Sequence, residues 1–139
     1  GFSNTWDKDK GITQRPLMTK NEIQQWLDLG MDIGAHTKTH IDLTSVSEEK
    51  AKKEIAGCKA ELENLFNVPV TDFCYPFGHF NEVVCNLTKD SGYLSATSMI
   101  RGRVSDESNR YILPRIPINY RTLPHLFLAK ILTKYEDKR

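Results

Sequence analysis

The sequence predicts an α/β domain whose strands run parallel to one another. Segments with helical periodicity alternate along the chain with short apolar segments typical of strands. The length of 139 residues suits one domain, and no internal repeat or low-complexity segment divides it. In parallel α/β folds the loops that follow the strands hold the functional site, so we expect it there.

Composition excludes several classes of protein. Hydrophobic residues make up 39% of the chain and charged residues 27%, which argues against disordered, coiled-coil and collagen-like chains. The net charge is +1 with both signs interspersed, so we expect no nucleic-acid partner. No apolar run approaches the roughly eighteen residues of a membrane span. The cysteines Cys58, Cys74 and Cys85 are odd in number and widely spaced, so we predict small buried side chains rather than a metal knuckle.

The first third of the chain predicts a loop, a short helix and a short strand. Residues 1–18 lack periodicity and predict a loop that ends near Pro16. In "TKNEIQQWLDLG" a capping box of Thr19 and Glu22 starts a helix that stops at Gly30, with apolar positions at Ile23, Trp26 and Leu27. Alternation in "MDIGAH" then predicts a strand over residues 31–36, whose end delivers His36 into a loop.

A long amphipathic helix is predicted next. Ser45 and Glu48 form a second potential capping box at its start. Its apolar positions follow helical spacing and predict one buried stripe, made of Ala51, Ile55, Cys58, Leu62 and Leu65. Lysine and glutamate residues occupy the other face, which we interpret as solvated surface.

The second half continues the alternation. "VTDFCYPFG" predicts a strand that ends at Pro76 and Gly78, and residues 81–89 predict a helix that buries Val83, Val84 and Leu87. "YLSATSM" predicts another strand, "RGRVSDESNR" a polar loop, and "YILPRIPIN" an extended segment. Thr122 is predicted to cap a last helix with apolar positions at Leu126, Phe127, Ile131 and Leu132.

The segment "GAHTKTH" contains two histidines four positions apart, His36 and His40. Such a pair is either two ligands of one metal ion or two solvated surface side chains. Its position after a strand and Gly34, rather than within a helix, favours ligation at the distances of roughly 2.0–2.1 Å typical of zinc and imidazole. In that case Thr37 or a backbone carbonyl is expected to accept the second ring N–H.

The segment "FCYPFGHFN" also allows two interpretations. It is either a core strand turning a corner or the wall of a groove, in which Tyr75 and Phe77 offer ring surface to a sugar. A rigid Pro-x-Gly turn could also aim a backbone N–H at a bound carbonyl. A donor of that kind is typically worth about 2.7–4 kcal/mol when an oxyanion develops.

Taken together, these segments resemble a known family. "GMDIGAHTKTHIDLT", "FCYPFGHFN", "GYLSAT" and "LPRIPIN" occur in the order found in polysaccharide deacetylases with the NodB homology domain, carbohydrate esterase family 4. The resemblance runs from about Met18 to Leu132. It is strongest to the branch that acts on exopolysaccharides and poly-N-acetylglucosamine.

The resemblance implies a distorted (β/α) barrel and metal-dependent removal of N-acetyl groups from a glycan. The family's H-S/T-x-x-H motif matches His36, Thr37 and His40, which makes both histidines expected metal ligands. Phe77 is expected to donate its backbone N–H to the oxyanion, and Arg115 to lie near the catalytic groove unless it is a plain surface arginine. Substrate contacts are expected from Tyr75, Pro76, Gly78 and Asn81.

The chain departs from the family in lacking its Asp-Asp motif, the source of the third ligand and the catalytic base. We therefore expect residues 1–139 to be a single, N-terminally truncated deacetylase domain without its first strand, its first helix and the general-acid histidine. Other carboxylates offer partial substitutes. Asp7 and Asp9 qualify only if the N-terminal loop folds over the site, Asp32 lies near the strand start, and Asp42 is a candidate support for a ligand. His79 is expected in the groove loop and His125 on an exposed helix face.

The functional hypothesis is thus a carbohydrate N-deacetylase with a divalent metal, zinc by default and iron, cobalt or nickel as alternatives. The 139 residues alone are expected to show little or no activity. The resemblance implies a protein that works outside the cytoplasm, although a cytoplasmic location is a second possibility. The sequence does not indicate an oligomeric state. Two rival hypotheses remain, a glycan-binding pseudoenzyme that keeps the groove and a structural α/β domain with two surface histidines.

Overall fold

Helices and strands alternate along residues 3–137, which are the residues that the computed structural model describes. The helices are α1 (Lys20–Asp28), α2 (Glu48–Phe66), α3 (Glu82–Asp90) and α4 (Pro124–Leu132). The strands are β1 (Asp72–Cys74), β2 (Ser95–Arg101) and β3 (Leu113–Arg115). Short 3₁₀ helices cover Thr5–Lys10, Leu43–Ser45 and Pro76–Gly78. Within the described part of the chain, no helix is long and apolar enough to cross a membrane.

The three strands form a parallel sheet in the order β1-β2-β3, which confirms the predicted α/β class. Phe73 of β1 pairs with Ala96 of β2, and Thr97 of β2 pairs with Leu113 of β3. The connection from β1 to β2 runs through α3. This arrangement places the carboxyl ends of β1, β2 and β3 on one edge of the sheet.

The strand predicted over residues 31–36 is reduced to a single bridge, so that prediction is wrong. Ala35 bridges to Phe73 in parallel, with its N–H donating to the Asp72 carbonyl at 2.8 Å. The preceding residues are tied to α1 instead. The Met31 N–H donates to the Trp26 carbonyl, and the Trp26 indole donates to the carbonyl of residue 32. These bonds turn the chain away from β1 until Ala35.

The core lies between the sheet and helices α2 and α3. Its buried apolar side chains form one cluster, which contains Ala35, Leu43, Ala51, Ile55, Cys58, Val70, Phe73, Tyr75, Val84, Leu87, Tyr93 and Ala96. Three tyrosine hydroxyls connect it by donating to backbone carbonyls. Tyr75 donates to Tyr111, Tyr111 to Tyr93, and Tyr93 to Ile55. The polar ends of these rings are therefore satisfied without water.

Helix starts were predicted with mixed success. The capping box of Thr19 and Glu22 is present, with both reciprocal hydrogen bonds. The box predicted at Ser45 is wrong, since Ser47 caps α2 by accepting from the Lys50 N–H. The Ser45 hydroxyl is used elsewhere, donating to the carbonyl of Asp42 at 2.8 Å.

The predicted cap of the last helix is also wrong. Leu123, not Thr122, precedes α4, and it makes no side-chain cap bond. The Thr122 hydroxyl instead accepts from the Asn119 N–H at 3.1 Å within the preceding turn. The apolar stripe predicted on this helix is largely exposed, including Phe127, Ile131 and Leu132. The buried side chain of α4 is Lys130, which binds Glu136 and the Pro117 carbonyl.

Two further burial predictions, those of Leu65 and Val83, are wrong. Leu65 is 44% exposed because it lines an open crevice between α1 and α2, while Phe66 is buried in its place. On α3, Val84 and Leu87 are buried as predicted, whereas Val83 is 47% exposed. Cys58 is buried as predicted, whereas Cys74 and Cys85 are half-buried.

Candidate metal and substrate site

The predicted site residues gather at one edge of the sheet. His36 follows the bridge residue Ala35, Phe77 lies in the 3₁₀ turn after β1, and Arg115 ends β3. Phe77 and Arg115 therefore sit at or just after the carboxyl end of a parallel strand, and His36 directly follows a parallel bridge. This is the location expected for a functional site in such a fold.

His36 and His40 lie side by side, with ring centroids 4.9 Å apart and planes at 67°. The Nδ1 atom of His36 lies 2.6 Å from the backbone carbonyl of Cys74. A carbonyl only accepts hydrogen bonds, so Nδ1 carries the proton and Nε2 keeps its lone pair for an ion. A backbone carbonyl, one of the two partners predicted for the second ring N–H, is thus present at His36.

Two aromatic side chains hold the ring of His40. Trp6 stacks on it with centroids 4.6 Å apart and planes at 20°, and Phe77 meets it edge-on at 4.8 Å. Trp6 belongs to the 3₁₀ helix Thr5–Lys10, so the prediction of a plain loop over residues 1–18 is wrong there. Sequence reasoning missed Trp6, whose only signal was a large aromatic residue within a polar segment.

The turn after β1 has two distinct sides. Phe77 has φ of 58° and exposes 42% of its surface beside His40. Tyr75 and Pro76 are buried, so the expectation that Tyr75 offers its ring to a sugar is wrong. Asn81 caps α3, its Oδ1 accepting from the Val84 N–H at 2.9 Å. The surface that this turn presents to solvent is therefore formed mainly by Phe77.

Arg115 is held along the end of β2. Its Nε donates to the Ser98 carbonyl at 2.7 Å, and Nη2 lies 2.7 Å from the Met99 Sδ atom. It is near enough to His36 for its positive charge to lower the pKa of that imidazole. Hydrogen bonding with Cys74 outweighs this effect and raises the pKa of His36 above its usual value. A side-chain interaction with the His36 ring lowers the pKa of the Cys74 thiol to about 7.

Asp42 does not support a ligand histidine as predicted. Its Oδ2 lies 2.7 Å from Nδ1 of His79, and this contact lowers the pKa of the Asp42 carboxyl. Because the carboxylate also accepts from Thr44, it is committed to the loop and to His79. His125 is exposed on α4, as expected.

The two histidines offer ring nitrogens of the kind that bind metal ions. Imidazole nitrogens are common ligands of zinc, copper, iron and nickel. Among residues 3–137, no group of three or more His, Cys, Asp and Glu side chains is arranged to hold an ion. Asp7 and Asp9, on the segment that covers His40, form no such group with the pair. The described residues thus bring two imidazoles together without a third potential ligand.

Comparison with known proteins identifies the family. A model of the polysaccharide deacetylase family matches residues 4–96, two-thirds of the chain. The chain belongs to the polysaccharide deacetylase family. This assignment confirms the resemblance inferred from the sequence motifs.

Relatives of this deacetylase chain are longer than the chain itself. It is 24% identical over 110 residues to YxkH of Bacillus subtilis and 28% identical over 82 residues to a peptidoglycan-N-acetylglucosamine deacetylase of Bacillus cereus. These matches cover 79% and 59% of the chain but 39% and 36% of the relatives. The crystal structure of a Bacillus cereus polysaccharide deacetylase superposes with a TM-score of 0.78 at 27% identity, over 84% of this chain and 37% of that one.

Proposed function

We propose that this chain carries part of the active site of a metal-dependent N-deacetylase that acts on a glycan of N-acetylglucosamine type. The observation behind the proposal is the hydrogen bond from His36 Nδ1 to the Cys74 carbonyl. It joins the two family motifs and leaves Nε2 of His36 as a ligand atom. The family is generally metal-dependent, and the Bacillus cereus relative acts on N-acetylglucosamine in peptidoglycan.

His36 and His40 would hold a divalent ion, with zinc favoured by the donor atoms. Such an ion supplies Lewis-acid chemistry and lowers the pKa of a bound water toward 7. Phe77, whose φ is 58°, would contribute its backbone N–H to the negative charge that develops on the acetyl carbonyl oxygen. Arg115 places positive charge beside His36. Gly78 and Asn81 act by holding the Phe77 turn and α3 in place.

The third metal ligand and the catalytic base are assigned to carboxylates outside residues 3–137, since the described residues offer no third ligand. Two imidazoles alone should hold zinc weakly, so we propose little or no hydrolysis by the 139 residues in isolation. On this proposal the chain represents the later part of a deacetylase domain. A glycan substrate of the cell envelope would place the protein outside the cytoplasm.

The test is acetate release from N-acetylglucosamine oligomers and from peptidoglycan by the native protein purified from its source. We expect release that a chelator abolishes, zinc restores and His40→Ala eliminates. His125→Ala is the matched control, because His125 is exposed on α4 and takes no part in the site. Release that survives both chelation and His40→Ala would refute metal-dependent deacetylation at this site.

A glycan-binding pseudoenzyme is the second candidate, favoured by the lack of a third ligand among the described residues. Phe77 would then provide a recognition surface without chemistry. The two candidates differ in one result. A pseudoenzyme binds the oligomers with unchanged affinity after chelation and releases no acetate.

A further inference from the structure

The loop between the two histidines has a strained backbone. Thr37 and His40 have φ of 64° and 57°, in the left-handed region that residues with a Cβ rarely occupy. A hydrogen bond from the His40 N–H to the Thr37 hydroxyl, at 3.0 Å, closes the loop internally. Strained conformations persist only where surrounding groups hold them, so the loop needs a support from outside.

Glu54 of α2 provides that support. Its Oε2 accepts from the N–H groups of Lys38 and Thr39, both at 2.9 Å, and its Oε1 accepts from the Thr39 hydroxyl at 2.7 Å. The side chain is 7% exposed, which makes it one of the few buried acidic residues. One turn later, the Cys58 thiol contacts the Thr37 carbonyl at 3.4 Å. One face of α2 therefore binds all three residues between His36 and His40.

We propose that Glu54 is a positioning residue that sets the relative placement of the His36 and His40 imidazoles for a shared metal ion. It acts through the backbone of residues 38 and 39 and touches neither ion nor substrate. Burial of a carboxylate is costly unless its acceptors are used, and all of its recorded partners are donors from this loop. This inference rests on the proposed metal site, and it assigns to Glu54 a role in metal affinity beyond stability.

The experiment is isothermal titration of the chain with Zn²⁺, for wild type, Glu54→Ala, Glu54→Gln and the control Glu49→Ala. Glu49 lies on the same helix but is exposed, and it pairs with Lys53. We expect Glu54→Ala to weaken Zn²⁺ binding by about tenfold, as loss of an outer-shell contact does. Glu54→Gln keeps the shape of the side chain but has one acceptor oxygen, so we expect its affinity for Zn²⁺ to lie between those of wild type and Glu54→Ala. Glu49→Ala should bind like wild type.

Thermal unfolding and the amide NMR signals of Lys38 and Thr39 separate affinity from stability. Folded Glu54 variants that lose the hydrogen-bonded character of these amides and weaken zinc binding support the proposal. A Glu54→Gln or Glu54→Ala chain that melts earlier but binds Zn²⁺ like wild type would show a purely structural role. If Glu54→Ala does not fold, Glu54→Gln decides. If wild type binds no Zn²⁺ even at concentrations that would detect the weak binding expected of two imidazoles, the metal site is refuted and this inference falls with it.

Discussion

The imidazole of His36 hydrogen-bonds, through Nδ1 at 2.6 Å, to the backbone carbonyl of Cys74, which lies 38 positions later in the chain. This bond connects the histidine loop to the strand that leads into the Phe77 turn. It also selects the neutral tautomer in which Nε2 of His36 has a free lone pair, as the proposed metal site requires. Neither motif alone would indicate a metal site with the same force.

Trp6 should report metal binding optically. Its ring stacks on His40 at 4.6 Å, so a paramagnetic Co²⁺ ion held by the histidine pair will quench its fluorescence. The chain has two tryptophans, and Trp26 lies at the end of α1. We expect Trp6→Phe to lose most of the Co²⁺-dependent quenching and Trp26→Phe to keep it. Equal quenching in the two variants would place the ion elsewhere.

Gly78 should be the least replaceable glycine near the site. It has φ of 70°, and an added Cβ would collide with the Met99 side chain and lie 2.8 Å from the Met99 backbone nitrogen. Gly30 has φ of 79° with open space around it, so it isolates the conformational cost. In urea unfolding we expect Gly30→Ala to lose about 1–2 kcal/mol and Gly78→Ala a further 1–3 kcal/mol. Equal losses would contradict the packing of Met99 on this turn.

Alkaline pH should unfold the protein through its buried phenols. Burial raises the pKa of Tyr75 and Tyr93 above that of an exposed tyrosine. Their contribution to stability is therefore complete below about pH 10, the unfolded-state pKa, and is lost as the pH rises beyond it. Absorbance at 295 nm and circular dichroism, recorded together, should show these two phenols ionising only as the fold is lost.

Variants identify the phenols in that titration. Tyr75→Phe should remove part of the late absorbance change, because its hydroxyl is buried against the Tyr111 carbonyl. Tyr120→Phe is the matched control, since Tyr120 is 90% exposed. A late phase that disappears with Tyr120→Phe but not with Tyr75→Phe would contradict the burial of Tyr75.

The buried charge pair of Lys130 and Glu136 should matter more than surface pairs. Lys130 also donates to the Pro117 carbonyl at 2.8 Å, so it fastens α4 to the preceding segment. We expect Lys130→Met to cost about 3–5 kcal/mol, because it removes the nearer cation from the buried Glu136 carboxylate and leaves only Arg101, 4.0 Å away, among the ion pairs of the described residues. Lys53→Met, which breaks the exposed pair with Glu49, should cost less than about 1 kcal/mol. Chemical denaturation of both variants makes the comparison.

A double variant tests the same explanation from the other side. Lys130→Met combined with Glu136→Leu should recover much of the loss, because no uncompensated charge stays buried. Failure to recover would mean that the hydrogen bond of Lys130 to the Pro117 carbonyl dominates.

Sequence patterns correctly predicted those structural features that depend on interactions between neighbouring residues. The Thr19 and Glu22 capping box is an interaction within one helical turn, and it is present. The choice between Ser45 and Ser47 as the α2 cap depends on the hydrogen bond of Ser45 to Asp42, which the three-residue spacing does not encode. Exposure of the α4 stripe likewise depends on which elements lie against that helix.

In the candidate site, too, local patterns were predicted and contacts between distant residues were not. The two histidines follow from their spacing and context, whereas Trp6 and Glu54 join them through contacts across 34 and at least 15 positions of the chain. Tyr75 was expected in a groove because aromatic residues serve both cores and sugar sites. Only the packing of its ring against the rest of the core distinguishes the two.

Imidazole nitrogen NMR during a Zn²⁺ titration tests the metal site most directly. The four histidines of the chain include two internal controls, His79 and His125. We expect Nε2 of His36 and the ring signals of His40 to shift together with Zn²⁺, while Nδ1 of His36 stays protonated and His79 and His125 stay unchanged. Zinc-dependent shifts at His79 or His125 alone, or none at His36 and His40, would contradict the proposed site.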